Sequence, residues 1–591
     1  MAQSDAAQKN TLVCWGGDVA AHLSLLSLKG HEATSETFRY EILSEAHISK
    51  AKLTGLFRQQ VYCTIGSPFS NLPQRCVNGM ITAMNCQWTA VNKALCSLTI
   101  EPAMALMKYS KSTRSWKNIN TPEIVQQLLH EYSITNFKIK LNRSYAKHEY
   151  CIQYRESDFD FISRLLDEEG IYYFFTHDKQ CHTLVLADHP SAHTASPGSI
   201  LRWHSHGKEN TAESLWQWSS HSVPMPGEAT LAGYDINQAA SINECQQPKT
   251  SPFILSGVCY RDIMPADVTN TLPATAKARV ESWEENITFY HALTNAHWLT
   301  CGEIFQLHDH CTDNGNYRIQ AIDIKVSNDG KYQRDEYLCS ITALPQGALW
   351  HPVITRQQPI ISDVLTARVV GPKSEIVHTD ELGRVQIVFP WDNTSDDKET
   401  GGCWVRVNQP WTGNQLGAQF LPRVGSEVQV MFNQGQPMVI GSVYNGINKP
   451  PFPLPANKAE SGFLSRQISN DEKDPMGHRL SFNDTAGAEK MTILAPRDLS
   501  LTVKNSQTTQ VGAGRNVLIT QGNDALTLDE GNITTSLNNG SYNLTSTGSI
   551  SFTVNNSSIT LSSEGISIKG PLITISASGD LVLDGTTIKI G

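Results

Sequence analysis

The sequence predicts a mainly β protein with minor α, and three observations carry that expectation. Short runs with apolar residues at alternate positions recur along most of the chain, which is strand periodicity. Only two segments show a helical period with end signals. From residue 496 onward the composition changes: 48 of 96 residues are Ser, Thr, Asn or Gly, and Tyr542 and Phe552 are the only aromatics. All twelve Trp lie at or before Trp411, and the last Cys is Cys403. The front of the chain can build large cores; the back cannot do so in the usual way.

At 591 residues the length suggests roughly four domains. A net charge of -10, with 40% hydrophobic and 18% charged residues, argues against a general polyanion binder. The polar start MAQSDAAQKN lacks the apolar core of a Sec signal. No apolar run is long enough to span a membrane. The expectation is a protein that is cytoplasmic when made and leaves the cell, if at all, by a route that reads no Sec signal. The thirteen cysteines include no C-x-x-C pair, so reduced, mostly buried thiols are expected.

The two helices follow from their ends. In NTPEIVQQLLHEY, Thr121 is the expected N-cap, Pro122 takes the first helical position, and Glu123 suits the positive end of the dipole. Ile124, Val125, Leu128, Leu129 and Tyr132 make the buried face. In ESDFDFISRLLDEEGIYYFF, Ser157 with Asp160 resembles a capping box, Phe161, Ile162, Leu165 and Leu166 face inward, and Gly170 ends the helix. Six carboxylates crowd this segment: Glu156, Asp158, Asp160, Asp167, Glu168 and Glu169. A catalytic pair is conceivable, but carboxylates on a solvated helix surface are the expected reading.

Residues 378–446 alternate as short strands: Val385, Ile387 and Phe389, then Val405 and Val407, then Val428, Val430 and Phe432, then Val439 and Val443. Strands of this kind separated by Gly-containing turns suggest a small barrel of the OB type. Four Lys and Arg against seven Asp and Glu make it a poor nucleic-acid binder. NKPPFPLPANK then reads as an extended linker.

In the tail, apolar pairs begin at Ile550, Ile559, Ile566, Ile573, Leu581 and Ile588, with steps of 9, 7, 7, 8 and 7 residues. One short strand plus one turn per repeat means a β-solenoid. A single such strand cannot bury its stripe. Either one chain coils on itself, or three chains wind together around a shared apolar axis; periodicity leaves both open.

Motifs with catalytic mechanics are missing: there is no H-E-x-x-H, G-x-S-x-G or P-loop. Cys301, His308, His310 and Cys311 form the densest group of ligand-type residues, and strand spacing could place both His on one face. A zinc site wants a clearer spacing, and His204 and His206 read as loop histidines. No metal, cofactor or catalytic residue is expected.

CIQYRESDFDFISRLLDEEGIYYFFTHD with LVLADHP (184–190), HTDELGRVQIVFPWD (378–392), WVRVNQPWTG (404–413), FLPRVGSEVQVMF (420–432), VIGSVYNG (439–446) and HRLSFNDTAGAEKMTILAPRDLSLTV (478–503) together resemble the VgrG family, the valine-glycine repeat spike proteins of type VI secretion, themselves similar to the hub and needle of contractile phage tails. The family's Val-Gly alternation is weak here. The resemblance implies a hub-like domain over 1–370, made of two β-barrels with helical insertions. An OB domain over 375–448, a linker leading into the β-helix over 449–495, and a triple-stranded needle over 496–591 would follow. It implies a homotrimer whose needle axis is lined by Ile550, Phe552, Ile559, Leu561, Ile566, Ile568, Ile573, Ile575, Leu581 and Leu583. The implied partners are the Hcp hexamer tube, baseplate proteins, effector proteins and a PAAR-repeat tip protein. The tip protein would dock on Thr587, Ile588, Lys589, Ile590 and Gly591, where the last strands leave unpaired backbone. No fused C-terminal effector domain is expected after IKIG. The implied action is structural and not enzymatic: a spike that crosses a target membrane mechanically and delivers effectors. A phage hub-needle is the first alternative, and a secreted enzyme on a β-helix scaffold is a weaker one.

Overall fold

Alternating apolar residues in the first 345 residues assemble, in a computed structural model of the chain, into a twelve-stranded sheet and three smaller ones among the described residues. The structure describes residues 12–66, 72–205, 213–264 except Asn237, 272–328, 336–349, 351–352, 359–392, 401–468 except Gln434, and 477–590. The chain divides into two units, Met1–Asp498 and Leu499–Gly591.

Six strands lead the first unit: β1 (Val13–Trp15), β2 (Leu23–Ala33), β3 (Arg39–Ala46), β4 (Gln60–Ile65), β5 (Arg75–Ala90) and β6 (Lys93–Glu101). They run in the order β1-β4-β5-β6-β3-β2. From β2 the sheet continues through Gly315–Ser327, Ile304–His308, Ala195–Trp203, Ser214–Ser222, Thr288–Thr294 and Glu336–Pro345. The last of these also pairs with Gly315–Ser327, so the second half closes into a six-stranded ring.

The β2 strand shows how residues set the core. Leu23 and Leu25 are buried, a bulge follows between Leu25 and Ser27, and the buried phase resumes one position later at Leu28. The new phase carries Gly30 and Glu32 inward. A side chain at Gly30 would strike the Tyr40 ring at 2.2 Å, so the glycine makes room for that ring to cross the strand. The Tyr40 hydroxyl donates to the Glu32 carboxylate. Arg75 Nη2 lies 2.7 Å from Glu32 Oε1 and 3.0 Å from the Tyr40 oxygen, while His177 Nε2 lies 3.4 Å from the same carboxylate. A charged network thus sits inside the hub core.

The first expected helix spans Thr121–Glu131, with a correction at its start: the N-cap is Asn120. Its side chain accepts from the Glu123 N–H at 3.0 Å, and the Glu123 carboxylate accepts from the Asn120 N–H at 3.3 Å, a full capping box. Thr121 is buried and hydrogen-bonds His148 at 2.9 Å instead. The second helix, Asp158–Glu169, starts and stops as expected: the Ser157 hydroxyl accepts from the Asp160 N–H, and Gly170 takes φ 67°. Beyond the short helix Lys50–Thr54, a longer one, Leu272–Asn286, was not expected either. Its buried stripe is Leu272, Ala276 and Val280, too small in side-chain volume to stand out from the polar residues between.

The OB barrel is closed by five strands in the order Leu365–Val370, Val385–Val388, Cys403–Val407, Gln436–Ser442, Glu427–Asn433. Its core is the expected alternating set, including Val385, Ile387, Phe389, Val405, Val428, Val430 and Val439. The first strand lies ahead of the segment from which the barrel was read. A cluster of Ile152, Tyr154 and Ile361, flanked by Leu365, Trp391 and Phe432, joins barrel to hub. The Tyr154 hydroxyl donates to Asp363 at 3.0 Å across the same seam. After the proline-rich segment, Glu460–Leu464, Arg479–Asn483 and Lys490–Leu494 form a three-stranded antiparallel sheet.

Candidate assembly surfaces

The C-terminal unit carries three strands among its described residues: Ile550–Val554, Ser557–Ser562 and Gly565–Lys569. They form an antiparallel meander. Asn555 at φ 45° serves the first turn and Gly565 at φ 133° the second. Ile550 lies opposite Leu561, which lies opposite Ile566; Phe552 lies opposite Ile559, which lies opposite Ile568. Opposed residues share a face, so these six side chains make one apolar patch. It is bare: Ile566 is 72% exposed, and Phe552, Ile559, Leu561 and Ile568 are exposed as well.

This differs from the self-coiled solenoid, one of the two arrangements left open by the repeat. In a single chain the nearest free strand edge is the next strand, two turn residues away, so consecutive strands pair with each other. Ile573, Ile575, Leu581 and Leu583 are exposed and lie outside any strand. Thr587, Ile588, Lys589 and Ile590 are exposed too, with Ile590 at 90%, and Gly591 lies outside the described residues. All the buried apolar clusters of the described residues belong to the first unit.

A second exposed apolar surface was missed in the sequence. It lies on the barrel, where Thr412–Gly413 and Leu416–Gly417 form a short hairpin. Trp411, Leu416 and Phe420 are exposed there, and Phe420 stacks on Phe463 at 5.9 Å between centroids. The signal available was an aromatic flanked by turn residues in PWTGNQLG.

The crowded carboxylates are scaffold, and two are not solvated as expected. Asp158 is buried and accepts from Gln153 Nε2 at 2.7 Å, the Tyr132 hydroxyl at 2.7 Å and Arg114 Nη2 at 2.9 Å. Burial alone would push its carboxyl up, but these donors outweigh burial and hold it below the usual range. Asp167 is buried too. Glu156 and Glu168 flank Arg164 at 2.8 and 3.3 Å, and Asp160 accepts from the Ser157 hydroxyl. Burial, reinforced by the Glu168 charge, pushes Glu169 up to about 7.

The His and Cys residues are not brought together. The strand ends at His308, and Asp309 at φ 65° turns the chain, so His310 is not on the same strand face. His310 Nδ1 accepts from the Asp313 N–H at 3.0 Å and packs against Trp203 and Trp218. Cys301 is buried, with its sulfur 3.3 Å from the Gln320 carbonyl, whereas Cys311 is exposed. His206 lies outside the described residues. Among the described residues no three His, Cys, Asp or Glu side chains converge as a metal site would require, and no helix is long and apolar enough to cross a membrane.

A sheet-rich hub carrying a docked five-stranded barrel and a repeat tail without a core defines a class: the hubs and spikes of contractile injection devices. Residues 31–330 match the phage tail baseplate hub (GPD) family, and residues 369–444 match the type VI secretion system/phage-baseplate injector OB domain. The chain belongs to the phage tail baseplate hub family. It is similar to the type VI secretion system spike protein VgrG1b of Pseudomonas aeruginosa, at 28% identity over 86% of this chain and 70% of that protein. The actin cross-linking toxin VgrG1 of Vibrio cholerae is 28% identical over 80% of this chain but only 44% of the toxin. The E. coli c3393 protein, described as a type VI secretion component similar in structure to bacteriophage tail proteins, shares the fold with a TM-score of 0.50 at 20% identity, over 71% of this chain and 97% of that one. The expected resemblance to type VI spike proteins and the mainly β fold both hold.

Proposed function

We propose that three copies of this chain form the spike at the tip of a type VI secretion tube. The observation that carries this reading is the bare apolar face of residues 550–569, on a chain whose hub and barrel belong to the injector family. An exposed stripe of this size on a soluble protein marks an interaction surface. Two further copies supply apolar surface of the same repeat, and the free edges of the outer strands then gain neighbours. The spike acts mechanically. It stacks by its hub on an Hcp hexamer tube held by baseplate proteins, crosses the target membrane when the device fires, and carries effector proteins outward. No catalytic residue or nucleic-acid surface enters this reading, and the chain matches less than half of the toxin relative.

Light scattering on the purified chain is expected to give three times the 65.3 kDa chain mass. A stable monomer at micromolar concentration would falsify the three-chain reading.

The exposed Ile588 and Ile590, which lie outside any strand in the single chain, form the docking face for a PAAR-repeat tip protein in this reading. Deleting residues 586–591 is expected to leave assembly intact while abolishing co-purification with that partner. Undiminished capture by the truncated chain would move the docking face elsewhere.

A further inference from the structure

We propose that Cys86 and Cys96 are a thiol–disulfide pair, reduced in this structure and joined into a cross-strand bridge by a low-molecular-weight disulfide oxidant. The inference does not depend on the spike reading; it rests on register. Cys86 of β5 lies directly opposite Cys96 of β6. The residues two places away on either side, Met84 opposite Leu98 and Trp88 opposite Ala94, keep the same pairing, so both sulfurs stand on the core-facing side of a regular ladder. Directly opposed residues in an antiparallel pair have Cα atoms about 4.5–5.5 Å apart. That lies within the roughly 4.4–6.8 Å that disulfides span. Bulges between Ile81 and Ala83 and between Trp88 and Ala90 let the strands adjust without moving the rest of the hub.

No other cysteine competes for either sulfur. Of the thirteen, this is the only pair that faces across a ladder: Cys14 and Cys76 both lie opposite Thr64, one strand apart, while Cys63 lies opposite Trp15 and Val77. Cys245 and Cys259 stand on strands separated by Met225–Asp235.

Access favours Cys86. The β4 strand pairs with β5 only from Arg75 to Met80, so the β5 edge that carries Cys86 has no ladder on its outer side among the described residues. Cys86 is half-buried, whereas Cys96 is fully buried and opposite Ser44 on its other side. Burial, with Cys86 as the close neighbour, pushes the Cys96 thiol up to about 12. The accessible sulfur therefore reacts first and the buried one resolves. The Cys86 thiolate attacks one sulfur of glutathione disulfide, forming a mixed disulfide and releasing one glutathione thiolate. The Cys96 sulfur, losing its proton as it attacks, then displaces the second glutathione. Two protein thiols are oxidised, one glutathione disulfide is reduced to two thiols, and the two protons end on the leaving groups.

The test uses the full chain treated with oxidised glutathione, quenched by alkylation and mapped by proteolysis and mass spectrometry. The expected product is a Cys86–Cys96 linked peptide, lost on reduction, with an upward shift of the hub's unfolding midpoint. A transient glutathione adduct should appear on Cys86 and resolve faster as pH rises; in Cys96→Ser that adduct should persist. The proposal is overturned if wild-type Cys86 keeps a stable adduct, if it links to a different cysteine, or if both sulfurs remain alkylatable in the unfolded protein after exposure to oxidant.

Discussion

Replacing Ile566 and Ile568 with Asp will release single chains of 65.3 kDa while leaving the hub folded. Both positions lie in the apolar patch, in register with Leu561 and Ile559. In one chain they touch water, so the substitution costs the monomer almost nothing. In a three-chain needle each position recurs around one axis, and two substitutions place six carboxylates there. An uncompensated charge taken out of water costs several kcal/mol, far more than the few that one apolar side chain contributes. Assembly is therefore lost, not merely weakened. Because the first unit has its own core, circular dichroism and thermal unfolding of the hub should stay near wild type. The conservative pair Ile566→Val and Ile568→Val should assemble normally. Full assembly of the Asp variant would show that these side chains do not face the axis.

How much of this was legible in the sequence depends on what each feature needs. The OB barrel was readable because its strands alternate cleanly and their apolar halves, such as Val385 with Ile387, form its core. Its first strand, Leu365–Val370, was missed because it sits apart from the motif-bearing segment and only register with Glu427–Asn433 and Val385–Val388 identifies it. Periodicity gave the phase of the tail stripe but not its neighbours. Register is a two-strand property, and a strand's partner can lie on the same chain or another. The buried carboxylates were misread for a related reason. Asp158 looks like a helix-start solvating group until Arg114, Gln153 and Tyr132, all distant in sequence or on other elements, are seen to enclose it. Glu32 had a signal: beyond Leu28 the alternation carries Gly30 and Glu32 inward, though the bulge before Leu28 hides the phase.

That Glu32 site yields the largest expected effect inside the hub. Arg75→Met should destabilise it by about 3–5 kcal/mol, because it leaves a buried carboxylate with its main counter-charge removed. Both side chains are almost completely buried, so solvent screening gives little relief. The double variant Glu32→Met with Arg75→Met should recover much of the loss, since the desolvation cost disappears with both charges. The acid profile supplies a sign that packing loss alone would not change. Burial by itself pushes the Glu32 carboxyl up, but Arg75, with His177 and Tyr40, outweighs burial and holds it far below the ordinary carboxylate value. A depressed folded value gives stability that is present above the unfolded value, about 4.3, and is lost as pH falls below it. Without Arg75, burial raises the same group, and its contribution is lost as pH rises instead. Glu169, pushed up to about 7 chiefly by burial, favours acid in both proteins and cancels in the comparison. Glu303, also pushed up to about 7 by burial, is held down in part by Arg75 and rises further without it, which acts in the same direction. Urea unfolding of the hub between pH 3 and 7 should therefore show the gap between wild type and Arg75→Met narrowing toward acid. A gap that stays constant across that range would mean Arg75 serves the core by its bulk and not by its charge.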